Sequence, residues 1–136
     1  MIQFYNKNRE VVMVLHDFLI DNESETKLSF FVDISFSFYK ASREIKDYKV
    51  YFDKFLEELK MLYEDKIKTA QFIPIQRELE IYFEKMNFGY ILATIKMNYF
   101  NLDEVMLQST LSIQYNIDQS FLPELIDEIN AVINND

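Results

Sequence analysis

Residues 28–66, LSFFVDISFSFYKASREIKDYKVYFDKFLEELKMLYEDK, decide the fold, because the apolar period changes within them from two to helical. Beyond Leu28, the side chains of Phe30, Val32, Ile34, Phe36 and Phe38 point one way, and Asp33, Ser35, Ser37 and Tyr39 point the other. Such alternation makes a strand with one buried and one wet flank, the pattern of an antiparallel sheet. Ala41–Lys49 reads as a charged connector, ending in at most a short strand. Then Phe52, Phe55, Leu56, Leu59, Leu62 and Tyr63 recur at three and four, with Asp53, Glu57, Glu58 and Lys60 on the outer side. That spacing predicts an amphipathic helix over about 51–66.

Toward the start, Val11, Met13 and Leu15 alternate with Val12 and Val14, so the segment is apolar on both faces and reads as a strand near the sheet interior. The polar cluster Asp21-Asn22-Glu23-Ser24-Glu25 turns it into a hairpin with the strand from Leu28. Toward the end, Phe72 lies in a short segment that Pro74 confines to a sheet edge or a break. Leu79, Ile81 and Phe83 alternate with Glu78, Glu80, Tyr82 and Glu84; Asn87-Phe88-Gly89 turns the chain, with Gly89 taking the positive φ. Ile91, Ala93, Ile95 and Met97 run back, Asn101–Glu104 turns again, and Val105, Leu107, Leu111, Ile113 and Tyr115 form the last strand. Asp118 or Ser120 can cap a closing helix with Pro123 in its first turn, whose apolar face is Phe121, Leu122, Leu125, Ile126, Ile129 and Val132. The expectation is a single α+β domain over 1–136, a largely antiparallel sheet with two helices on one face in the order strands, helix, strands, helix. No internal repeat is evident in the residues.

Composition narrows the chemistry. The 136 residues contain no Cys, which removes disulfides, thiolate catalysis and cysteine metal sites. One His, His16, removes any two-histidine metal motif, and one Gly, Gly89, removes phosphate-cradling loops and the dinucleotide fingerprint. His16 would have to serve any Ser–His pair, and no G-x-S-x-G elbow can be built with one glycine. Asp21, Glu23 and Glu25 have calcium-loop spacing, but Thr26 and Val32 stand where such a loop needs Gly and Glu. No cofactor, metal ion or catalytic residue is expected. Net charge is −9, from 14 Lys plus Arg against 23 Asp plus Glu, which disfavours nucleic acid and anionic membrane as partners and favours a basic protein. No run is long and apolar enough to span a bilayer and none reads as a signal peptide, so the cytoplasm is the expected location.

If the helices cover one flank of the sheet, Asp33, Tyr39, Glu78, Glu80, Tyr82 and Glu84 share the other, an acidic and aromatic patch suited to a basic partner. Charge reversal at Glu80 and Glu84 should then weaken binding and leave the melting temperature nearly unchanged.

The run Phe52–Tyr63, the following Thr69-Ala70-Gln71-Phe72, Leu79-Glu80-Ile81, the turn at Gly89 and Tyr115–Leu125 occur in an order that resembles the WapI-like immunity family, small bacterial proteins encoded beside contact-dependent toxins. The resemblance implies a cytoplasmic, non-enzymatic inhibitor, monomeric or weakly dimeric, that binds a cognate toxin domain, often a basic nuclease. It carries over no binding residue. The alternatives are an acidic secretion-type chaperone that binds an effector segment, although such chaperones open with an amphipathic helix, and an acidic α+β binding domain of another kind.

Overall fold

The structure is a computed structural model and describes residues 1–22, 26–101 and 107–134. The chain runs β1 (Ile2–Tyr5), β2 (Val11–Asp21), β3 (Lys27–Phe36), β4 (Tyr39–Tyr48), α1 (Lys49–Tyr63), β5 (Thr69–Phe72), β6 (Leu79–Lys85), β7 (Tyr90–Asn101), β8 (Leu107–Asp118) and α2 (Leu122–Ile133). The α+β class and the order of strands and helices are as the periodicity predicts. The strands, however, divide between two four-stranded sheets, β1-β2-β3-β4 and β5-β6-β7-β8, with neighbours antiparallel throughout. Each half is thus an antiparallel meander followed by a helix, an internal structural repeat that the residues barely record. The clearest traces are Ile2-Gln3-Phe4 against Ala70-Gln71-Phe72, and the shared spacing of Phe52, Phe55, Leu56, Leu59 and Leu62 with Leu122, Leu125, Ile126, Ile129 and Val132.

Two strands differ from the sequence reading. β1 is a four-residue strand within a polar start, its Ile2 and Phe4 buried. β4 occupies most of what reads as a connector, because its inward positions are Ala41, Arg43, Ile45 and Asp47, which the register places opposite Ile34, Val32, Phe30 and Leu28. Two charges at inward positions erase the alternation. β2 lies between β1 and β3, as its two-sided apolar character requires, and bulges at Val12, so that Val12 and Met13 are both buried. β5 is the edge strand that Pro74 demands.

The core lies between the sheets, and α1 wedges into it. Phe52 meets Phe30 of β3 at 5.4 Å and Phe72 of β5 at 4.5 Å between ring centroids. Phe55 meets Phe72 at 6.1 Å and Phe83 of β6 at 5.9 Å, and Phe83 meets Phe4 of β1 at 6.3 Å. Six buried rings therefore run from one sheet through α1 to the other and back to β1. Arg43 adds a polar tie, its Nη1 donating to Asn98 O at 2.7 Å while Nη2 stands 3.4 Å from Glu78 Oε1. Asp118 Oδ1 accepts from Ser120 N–H at 2.9 Å and opens a 3-10 turn, Gln119–Phe121, that leads into α2, with Pro123 in the first turn.

The helices also close the sheet edges crosswise. The Gln71 N–H of edge strand β5 donates to Glu58 Oε1 of α1 at 2.8 Å. The Gln3 N–H of edge strand β1 donates to Glu128 Oε1 of α2, also at 2.8 Å. Each first strand is capped by the helix of the other half, which blocks a donor that could otherwise pair with another chain.

Phe52→Ala, which removes the ring shared by both sheets, is expected to destabilise by about 3–5 kcal/mol in denaturant unfolding. Glu128→Ala should cost about 1–2 kcal/mol, since it strips a charged acceptor from a backbone donor. Amide exchange at Gln3 should accelerate in that variant while exchange at Gln71 stays as in the wild type.

Candidate functional site

Both sheets bury their inner faces and leave their outer faces to solvent, so the candidate surfaces are read from the outward side chains. On β2 and β3, His16 sits between two carboxylates: Nδ1 lies 2.8 Å from Asp17 Oδ2, and Nε2 lies 2.6 Å from Asp33 Oδ2. A bulge brings this about. The β2–β3 register shifts between His16 and Leu19, and Asp17 takes a φ of 56°. Ser42 Oγ of β4 donates to the other oxygen of Asp33, and the imidazole stacks on Phe31 at 5.9 Å. The order is Ser–Asp–His. An activated serine needs its Oγ against the imidazole, so this cluster orients charge and does not prepare a nucleophile. Hydrogen bonds to Asp17 and then to Asp33 raise the pKa of His16, and those accepted from Ser42 and His16 lower that of Asp33.

On the other sheet, Glu80 is only 6% exposed although it faces outward. Asn98 Nδ2 donates to its Oε2 at 2.9 Å, Tyr82 OH donates to its Oε1 at 2.8 Å, and Arg77 Nη1 stands 3.5 Å from Oε1. Asn98 also donates to Arg77 O and accepts from Thr110 Oγ1 at 2.8 Å. Lys96 Nζ lies over the Tyr82 ring at 5.5 Å. This satisfied network pins the loop before β6 to β7.

The six residues expected on one flank do not come together. Asp33 belongs to the first sheet, in the His16 cluster. Tyr39 is on the opposite side from it: β3 ends at Phe36, Ser37 turns the chain at a φ of 58°, and Tyr39 pairs with Phe36, so the two share the inward side. Glu78 precedes β6 and pairs with Arg43 between the sheets. Glu80, Tyr82 and Glu84 do share the outer face of the second sheet, but Glu80 is locked in the network and only Glu84 is a fully exposed acid. The expectation that charge reversal at Glu80 spares the melting temperature is corrected accordingly, since a lysine there would lose two hydrogen bonds in a dry site. Of the calcium-loop acids, Glu23 and Glu25 lie outside the described residues, as does most of the turn Asn101–Glu104 together with Val105.

Three features went unread in the sequence. Asp47 is buried on the inner face with Oδ2 unpartnered, and burial, with Glu78 nearby, pushes its pKa up. Met86, Phe88 and Tyr90 stand exposed around one turn. Charge is also unevenly distributed: all 14 Lys and Arg precede residue 97, whereas residues 97–136 hold seven of the 23 acids. On α2 the exposed side chains include Glu124, Asp127, Asn130 and Asn134, and the helix has no cation of its own. Among the described residues, no group of three or more His, Cys, Asp or Glu is placed to hold a metal ion, and no helix is long and apolar enough to cross a membrane. Comparison with family models, curated proteins and solved structures found no match.

Because the carboxylates favour the protonated form of His16, its contribution to stability is complete below its unfolded pKa of about 6.5 and is lost as pH rises through the higher folded value. Asp33, with a lowered pKa, contributes above its unfolded value and loses that contribution as pH falls through the folded one. Unfolding measured from pH 5 to 9 should show the alkaline loss in the wild type and none in His16→Gln, and the imidazole resonance of this sole histidine should titrate above its usual range.

Proposed function

We propose that this chain is a non-enzymatic protein of the immunity type, which binds a basic, nuclease-type toxin domain in the cytoplasm and blocks it. The observation that carries the reading is the cation-free segment 97–136, whose described part forms β8, α2 and half of β7. Arg9 pairs with Glu124 of α2, and the net negative charge that the segment keeps attracts a basic partner from a distance and repels phosphate backbones. A nuclease groove must be basic to hold its substrate, so a carboxylate-bearing surface of this kind can occupy it or clamp beside it. The order of core and capping residues that resembles the WapI-like immunity family supports the same reading. Binding is expected one to one, with the outer sheet faces and α2 as the available surfaces.

Co-expression with a basic, nuclease-type toxin domain sought among the neighbouring genes tests it: growth should be rescued and a complex should co-purify. Neither rescue nor complex would remove the reading. Asp127→Lys, on the exposed stripe of α2, should slow association several-fold at low salt and flatten the salt dependence. Its stability should stay within about 0.5 kcal/mol of the wild type.

A further inference from the structure

The β6–β7 turn is built against its own local chemistry. Met86 N–H donates to Tyr90 O at 3.0 Å, closing a three-residue loop of Asn87, Phe88 and Gly89. Phe88 sits at φ 74° and ψ 15°, and Gly89 at φ 84°. Glycine takes that region without strain, and a bulky aromatic is disfavoured there. The ring gains nothing from the fold in return: Phe88 is 98% exposed, and a Cβ added at Gly89 would meet nothing within 4 Å. Met86 and Tyr90 on either side are exposed as well. A residue that strains the backbone and packs on nothing marks a place where folding yields to another requirement.

The surroundings say what the tip fits. Tyr90 pairs with Asp118, and Glu84 is exposed beside the turn. Lys85 is engaged on the inner side, its Nζ donating to Leu62 O at 3.0 Å and to Asp65, and exposed Lys68, whose O accepts from Lys85 N–H at 2.8 Å, stands beside it on β5's side of the turn. The tip is therefore an apolar point whose outer-face rim, Glu84 and Asp118, is acidic, and it borders the cation-free segment at Asp118. We infer that the β6–β7 turn is a docking element that inserts Phe88 into an apolar socket, rimmed by cationic side chains, on a protein partner. Met86 and Tyr90 line the shoulders of the insertion, as aromatic anchors and flexible thioethers do in interface centres. An anionic membrane would be repelled by the rim, and a second copy of this chain would bring the same rim against itself. The inference rests on the proposed reading that the partner is a basic protein.

The full chain, wild type and Phe88→Asn, is titrated into the toxin domain used in the co-expression test, with melting temperatures recorded in parallel. Asn accepts the left-handed backbone, so F88N should melt at the same temperature or higher while its affinity falls at least tenfold. Tyr90→Ser should lose a smaller part of the affinity. A wild-type complex that F88N matches within twofold overturns the docking role alone. A fall in melting temperature in F88N overturns it too, because the ring would then serve the fold. Sedimentation at high concentration and flotation with phosphatidylglycerol vesicles complete the test: Phe88-dependent dimerisation or vesicle binding reassigns the tip to a second copy or to lipid and overturns the socket. Absence of any wild-type complex removes the functional reading itself, and the docking role with it.

Discussion

The architecture depends on two phenylalanines of one helix. Phe52 and Phe55 lie on the same face of α1, and between them they touch rings from β3, β5 and β6. The two sheets are not joined by a shared ladder. Their relative placement is therefore set by side-chain packing, with the aromatic run through α1 as its most extensive part and the Arg43 tie and the Lys7 N–H to Asn116 O bond at 2.8 Å as polar additions. Close packing permits one arrangement of such rings and penalises others. That explains why the helix between the halves, and not a strand, organises the whole.

With the cores turned toward each other, the outer faces carry whatever specificity the molecule has. They are not equivalent. One bears a histidine clamped by two carboxylates above an aromatic ring, and the other a sealed network around Glu80. Both networks are internally satisfied, which suits rigid surfaces better than reactive ones. The features not absorbed in such networks lie elsewhere, in the exposed Asp127 of α2, beyond the Arg9–Glu124 pair, and in the solvent-borne ring of Phe88. An interface built from a steering field and an apolar anchor divides the work of encounter and retention between them.

The sequence was legible wherever one physical rule governed a segment. β3, α1, β6 and α2 follow their apolar period, and Asp118, Pro123 and Gly89 mark boundaries by backbone chemistry. β4 was illegible because Arg43 and Asp47 point inward; Asn98 and Glu78 of the other half meet Arg43 there, whereas Asp47 keeps one oxygen unpartnered. The division into two sheets was illegible because alternation tells which flank of a strand is buried and never which strand lies beside it. For the same reason the acidic patch dissolved: parity placed Glu80, Tyr82 and Glu84 together correctly, but Asp33 belongs to another sheet, and Ser37 reverses the chain before Tyr39. Phe88 was read only as part of a turn, and its cost to that turn appears once the dihedral angles are known.

The crosswise glutamates have a consequence for biosynthesis. β1 leaves the ribosome early, yet the carboxylate that completes it belongs to α2, which emerges after everything else described here. Until then the N–H of Gln3 lacks its acceptor. Vectorial synthesis thus supplies every strand of the first sheet before the side chain that covers its edge.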